Sequence, residues 1–164
     1  MRQAMAQATG EAARASGGQP VPAANLHVTM AFLGQVPQRR LADLAEAARA
    51  AALGPRCDPL ELRFDHLEYW RGAQLLCAAP GSPCAPVAAL ADVLKARLTQ
   101  SGFAPDLKPF RAHVTVVRKV SRAGSIANMP VVTWRFTHLA LIESRTLPQG
   151  SLYSVIESYA LCSG

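Results

Sequence analysis

Four histidines occur in the 164 residues, and two of them open the same pattern, "HVTM" at His27 and "HVTV" at His113, about half the chain apart. A buried imidazole must find a hydrogen-bond partner or forfeit roughly 1–3 kcal/mol of solvation. A histidine inside an apolar run such as "NLHVTMAFLG" therefore calls for a reason. Thr supplies only 7 residues, so two H-x-T hits among four histidines would arise in about 1% of shuffled sequences.

In an extended strand, residues i and i+2 project from one face about 6.6 Å apart. His27 would then stand beside Thr29, and His113 beside Thr115. Two imidazole–hydroxyl pairs converging on one cleft fit phosphodiester chemistry, in which one group takes a proton from the attacking oxygen and another protonates the leaving oxygen. Histidine suits both tasks near neutral pH. The hydroxyls can hold non-bridging phosphate oxygens as charge builds on them. A lone H-x-T is ordinarily a satisfied sheet histidine, so it is the pairing that favours chemistry. Neither pair has a third ligand at recognisable spacing, so no metal site is read from them. His66 and His138 have no threonine two residues on and are read as structural.

The elements that must position these residues follow from periodicity. Residues 1–16 carry Ala, Met and Gln at helical density and stop at Gly17-Gly18, which predicts a helix and a turn. A strand is expected over 26–33, then a helix that opens at Pro37 and ends before Gly54. "LELRFDHLEY" alternates like a half-buried strand, with "AQLLCAA" as its partner. A third helix covers about Pro86–Gln100, and "FRAHVTVVRKV", "VVTWRFTHLALIES" and "SLYSVIESYAL" read as three further strands. Helices interspersed with closely linked strands indicate an α+β fold with antiparallel sheets.

The totals set the class of partner. The chain carries a formal net charge of +6 and a pI near 9.6, which suits an anionic partner such as RNA. Arg39, Arg40, Arg49 and Arg56 would serve equally well as a solvated helix face. Apolar runs are broken too often for a membrane span, and the N-terminus lacks a secretory signal. Cys57, Cys77, Cys84 and Cys162 form no C-x-x-C pair, so reduced thiols in a cytoplasm are expected.

"NLHVTMAFLGQV" and "FRAHVTVVRKV" resemble the two H-x-T motifs of the two-histidine phosphoesterases, specifically the bacterial RNA 2′,3′-cyclic phosphodiesterases, also called 2′-5′ RNA ligases. "YWRGAQLLCAAP" is similar to that family's middle strand pair, and "LIESRTLPQGSLYSVIESYAL" to its C-terminal pattern. The resemblance runs from about Gly17 to the end. It implies a bilobal, pseudo-twofold fold of antiparallel sheets flanking a cleft, with outer helices. It also implies hydrolysis of RNA 2′,3′-cyclic phosphate ends to 2′-phosphate with neither metal nor cofactor, and ATP-independent 2′-5′ joining in some members. By family role His27 is the proton donor and His113 the proton acceptor. Thr29 and Thr115 are the phosphate ligands, and Arg118 adds a charge to that clamp. The expected partners are RNA ends or cyclic nucleotides, met by a monomer.

Two departures from the family pattern bear on this reading. Members normally begin with a hydrophobic strand of the "LFFAL" type, whereas this chain starts inside what would be the first helix. Residues 1–164 are accordingly read as a single bilobal domain without that strand, by truncation or in nature. Ala112 stands where proline is common before the second histidine. Two other readings stay open: a catalytically impaired module that binds RNA ends, and a related enzyme acting on another cyclic or 2′-5′ phosphodiester.

Overall fold

Helix α1 (Arg2–Ala15) buries Met5, Thr9 and Ala13, one stripe at four-residue spacing. The buried Thr9 hydroxyl donates to Met5 O at 2.9 Å, so its burial leaves no orphan donor. The helix stops where Gly17 adopts φ +62°, a left-handed conformation that glycine enters without a Cβ penalty. At Gly18 a Cβ would lie 2.7 Å from both Arg118 O and Val117 Cγ1. Glycine there lets the chain turn directly onto the strand that ends at Arg118.

The computed structural model of the protein describes residues 1–54, 60–122, 128–147 and 150–161. Its element order is α+β, as the periodicity predicts, and it divides into two compact units. The first comprises Met1–Thr29, Glu61–Cys84 and Arg111–Trp134, and the second Met30–Leu60, Ala85–Phe110 and Arg135–Gly164.

The first unit is built on a five-stranded sheet of β1 (Gln19–Pro20), β2 (Leu60–Trp70), β3 (Leu75–Ala79), β4 (Val114–Arg118) and β5 (Asn128–Phe136). The spatial order is β1-β4-β3-β2-β5. The β1–β4, β4–β3 and β3–β2 pairs are all antiparallel. One face carries Leu67, Leu76, Ala78, Val114 and Val117, all buried, and α1 packs against β4 and β1. The register Glu68↔Cys77↔Thr115 sets the opposite face, which holds His66, Glu68, Trp70, Cys77, Ala79 and Thr115.

In the second unit, α2 (Leu41–Ala52) buries Leu44, Ala47, Ala48, Ala51 and Ala52 and packs against α3 (Ala85–Gln100). It also meets a hairpin of β6 (His138–Leu147) and β7 (Gly150–Ala160). Arg40 donates to Ser101 O at 2.6 Å and lies over the Phe103 ring, closing the turn that follows α3.

Two expected elements differ. The run 26–33 is not a strand: only Val28 pairs, in an isolated bridge to Val114. A 3₁₀ turn at Ala23–Asn25 precedes it, and Phe32 is 69% exposed, so the run has no ladder to join beyond that contact. The run read as a single strand, "VVTWRFTHLALIES", is β5 and β6 with a break at Thr137. The break falls there because β5 belongs to the five-stranded sheet while β6 pairs with β7. Of the four cysteines, Cys77 and Cys84 are free thiols, and Cys57 and Cys162 lie outside the described residues.

Candidate active site

Both H-x-T motifs lie in the first unit, and one contact sets them side by side. Val28 bridges Val114 in antiparallel sense, and Val114 also pairs with Ala78 of β3. In that register His27 stands opposite Thr115, and Thr29 opposite His113, related by a local twofold through the two valines. Directly opposed side chains lie about 5 Å apart and diagonal ones about 7–8 Å. The two imidazoles therefore sit on one diagonal and the two hydroxyls on the other. Alternation about that bridge gives all four the face opposite the buried Val114 side chain. His27, His113 and Thr115 are half-buried and Thr29 is exposed.

The segment bearing His27 is held although it is not a strand. Leu26 is 1% exposed, and Arg2 Nε donates to Leu26 O at 2.9 Å. Just beyond the 3₁₀ turn, His27 Nδ1 donates to Asn25 O at 2.6 Å. His113 repeats the arrangement, its Nδ1 donating to Arg111 O at 2.9 Å. A carbonyl oxygen only accepts, so both contacts fix Nδ1 as the protonated nitrogen. In each ring Nε2 is then the nitrogen through which a proton can be exchanged, bare when the ring is neutral and N–H when it is protonated.

Arg118 reaches this face through an irregularity. It is three residues beyond Thr115, and in a regular strand that spacing points to the opposite side. The β3–β4 register runs Cys77↔Thr115 and then Leu76↔Val117, so Val116 is the extra residue of a bulge. The bulge restores Arg118 to the face of Thr115 and Cys77.

A second cluster adjoins His113. The Trp70 indole lies against its imidazole, with ring centroids 4.4 Å apart, and the Arg111 guanidinium stands over the same indole at 5.3 Å. Small side chains, Cys77 and Ala79, occupy this face of the intervening β3 and leave room for the larger groups. Glu68 Oε2 accepts from Trp70 Nε1 at 2.9 Å and from Arg111 Nη2 at 2.6 Å. Its Oε1 accepts from His66 Nε2 at 3.2 Å, and His66 Nδ1 donates to Asp65 at 2.9 Å. Burial alone would raise the Glu68 carboxyl, but its three donors outweigh it and hold the group below the usual carboxylate range. The bond to Asp65, with Glu68 adding to it, raises the His66 imidazolium above its ordinary value.

His66, structural by its sequence context, is thus on the site face, two strands from Thr115. Sequence reasoning singled out none of Trp70, Glu68 and Arg111, although Arg111 stands two residues before the second H-x-T histidine. Burial pushes the Cys77 thiol, 3.8 Å from the Thr115 hydroxyl, up to about 11. That makes it packing rather than a nucleophile. Among the described residues, no group of three or more His, Cys, Asp or Glu side chains is placed to hold a metal ion, and no helix is long and apolar enough to cross a membrane.

The family model described as "2'-5' RNA ligase superfamily" matches residues 3–146. The chain is 29% identical over 147 residues to an RNA 2′,3′-cyclic phosphodiesterase of Escherichia coli K12, covering 88% of this chain and 80% of that protein. It is 28% identical to a protein of the same name from Thermus thermophilus, covering 98% of this chain and 84% of the other. Among solved structures, E. coli LigT complexed with 3′-AMP superposes with a TM-score of 0.85 at 24% identity, covering 99% of this chain and 91% of that one.

Proposed function

The chain belongs to the 2′-5′ RNA ligase superfamily, and from that premise we propose that it hydrolyses the 2′,3′-cyclic phosphate at RNA ends to a 2′-phosphate. The observation that carries the reading is the Val28–Val114 bridge, which sets His27, Thr29, His113 and Thr115 on one face as a crossed pair of imidazoles and hydroxyls. The two relatives, both named RNA 2′,3′-cyclic phosphodiesterase, support it.

In this mechanism His113 Nε2 takes a proton from water as the water oxygen bonds to phosphorus. The P–O3′ bond breaks in line with the attack, and His27 Nε2–H protonates the departing O3′. Thr29 and Thr115 donate to the non-bridging oxygens, and Arg118 adds positive charge where the transition state accumulates negative charge. The carbonyls of Asn25 and Arg111 each hold an Nδ1–H, which leaves the Nε2 of neutral His113 bare to accept and directs the Nε2–H of a protonated His27 toward the leaving oxygen. With the 5′-hydroxyl of another RNA in place of water, the same groups form a 2′-5′ bond without ATP.

No step requires a metal or an organic cofactor. Residues 1–164 act as a single phosphoesterase domain and as a monomer. A reducing cytoplasm suits the free thiols Cys77 and Cys84.

The test is to incubate the protein with 2′,3′-cyclic AMP and with an oligonucleotide ending in a cyclic phosphate, and to identify the product by phosphorus NMR. A 2′-phosphate formed in the presence of EDTA is expected. Binding without turnover, a 3′-phosphate product, or activity that returns only on adding zinc would overturn the reading.

A further inference from the structure

Resting on that phosphodiesterase reading, we infer that Glu68 is a positioning residue for His113, tying down the two residues that grip the imidazole, Arg111 and Trp70. His113 is not itself within β4. Residues 109–113 approach that strand as irregular chain, so the Arg111 carbonyl that fixes His113 Nδ1 has no sheet ladder of its own to orient it. What anchors Arg111 is its side chain, bonded to Glu68 on β2 at 2.6 Å. The other constraint on the ring is the Trp70 indole packed against it at a 50° tilt, and Glu68 holds that indole too, through Nε1 at 2.9 Å.

One carboxylate oxygen thus serves both grips, one on the protonation of the ring and the other on its plane. The Glu68 side chain is only 22% exposed and Arg111 64%. An exposed ion pair alone would count for little, but this carboxylate sits at the edge of strand packing and is fixed from its far side by His66 and Asp65. The chain of contacts runs Asp65, His66, Glu68, then Arg111 and Trp70, then His113. Each link is a hydrogen bond or a ring contact between named groups. This is the arrangement that keeps a general base in one tautomer and one orientation.

The experiment compares Glu68→Ala and Glu68→Gln with the wild-type chain by two readouts. The first is hydrolysis of 2′,3′-cyclic AMP. The expected result is a fall in kcat of roughly tenfold for Glu68→Ala with KM within about twofold, since a misaimed base weakens the transition state more than the ground state. Glu68→Gln, which keeps one acceptor oxygen, should lose less.

The second readout is the long-range proton–nitrogen NMR spectrum of the histidine rings above pH 8, which distinguishes Nδ1–H from Nε2–H tautomers whether or not the protein turns over substrate. Neutral His113 should be Nδ1–H in the wild type and partly Nε2–H in Glu68→Ala, with the His27 signals unmoved. An unchanged His113 tautomer with unchanged kcat would overturn the inference. So would equal displacement of the His27 and His113 signals, which would mark a general loosening. Should wild type show no cyclic-phosphate hydrolysis, the functional reading fails, and the NMR comparison still decides whether Glu68 positions His113.

Discussion

Val28 faces Val114 across an isolated antiparallel bridge, and the residues on either side of each valine are the histidine and threonine of an H-x-T motif. A single backbone contact thus brings together two motifs separated by about half the chain. Because it is antiparallel, it opposes each imidazole to a hydroxyl rather than to the other imidazole. A phosphorus held between the two hydroxyls would then have one Nε2 on each side, the requirement for in-line displacement.

The first prediction follows from that division of labour. His27→Ala and His113→Ala should each lower hydrolysis by roughly 10²- to 10⁴-fold while leaving the melting temperature nearly unchanged, both rings being half-buried. The double variant should lose far less than the product of the two single losses, because the proton transfers act as a unit. Rates measured beside circular dichroism melts decide this, and near wild-type turnover in either variant would remove that histidine from the mechanism.

Arg118 supplies the second. Its presence on the site face depends on the bulge at Val116, which gives the site a cation its spacing alone would not predict. Arg118→Ala should cost roughly tenfold or more in kcat/KM, about 1.4 kcal/mol or more of transition-state binding. Arg118→Lys should recover only part, since an ammonium keeps the charge but not the planar fork. Steady-state kinetics and competition by inorganic phosphate measure both. If Arg118→Ala binds phosphate as well as wild type, the guanidinium does not face the anion.

A third concerns pH and stability. His66 lies between Asp65 and Glu68 with its imidazolium raised above 6.5. Its contribution is fully present below about 6.5 and is lost as pH rises through the raised folded value. Asp65 and Glu68 are lowered from 3.8 and 4.5, so theirs is present above those values and is lost as pH falls through the folded ones. The cluster should therefore stabilise most between about pH 4.5 and 6.5. Melting temperatures of wild type and His66→Gln should differ most in that window, and the gap should narrow as pH rises through the raised folded value of His66. A gap that widens with pH would contradict the charged assignment.

The fourth concerns thiol reactivity. Cys77 is fully buried, with its thiol pushed up to about 11, whereas Cys84 is half-exposed and donates to Glu61 O at 3.2 Å. In the folded protein at pH 8, iodoacetamide should label Cys84 well before Cys77, and both should react on unfolding. Peptide mass mapping over a time course tests it. Early modification of Cys77 would mean that the strand beneath Thr115 opens readily.

The sequence by itself determined what depends on local order. Helical density and stop signals placed α1, α2 and α3, alternation placed β2, the apolar run beside it placed β3 as its partner, and the repeated H-x-T singled out His27, Thr29, His113 and Thr115 without any knowledge of pairing. Periodicity is a property of neighbours along the chain, so it is readable before folding. Tertiary structure decided what depends on partners across space. Residues 26–33 are apolar enough for a strand, yet only Val28 finds one, because β1 and the 3₁₀ turn occupy the approach to β4. The bulge that turns Arg118 onto the site face exists only in the register between β3 and β4. The grip of Glu68, Trp70 and Arg111 around His113 joins two segments far apart in the chain, 68–70 on β2 and 111–113 before β4. Such contacts form when a sheet brings distant residues within hydrogen-bond reach, and no spacing along the chain encodes them.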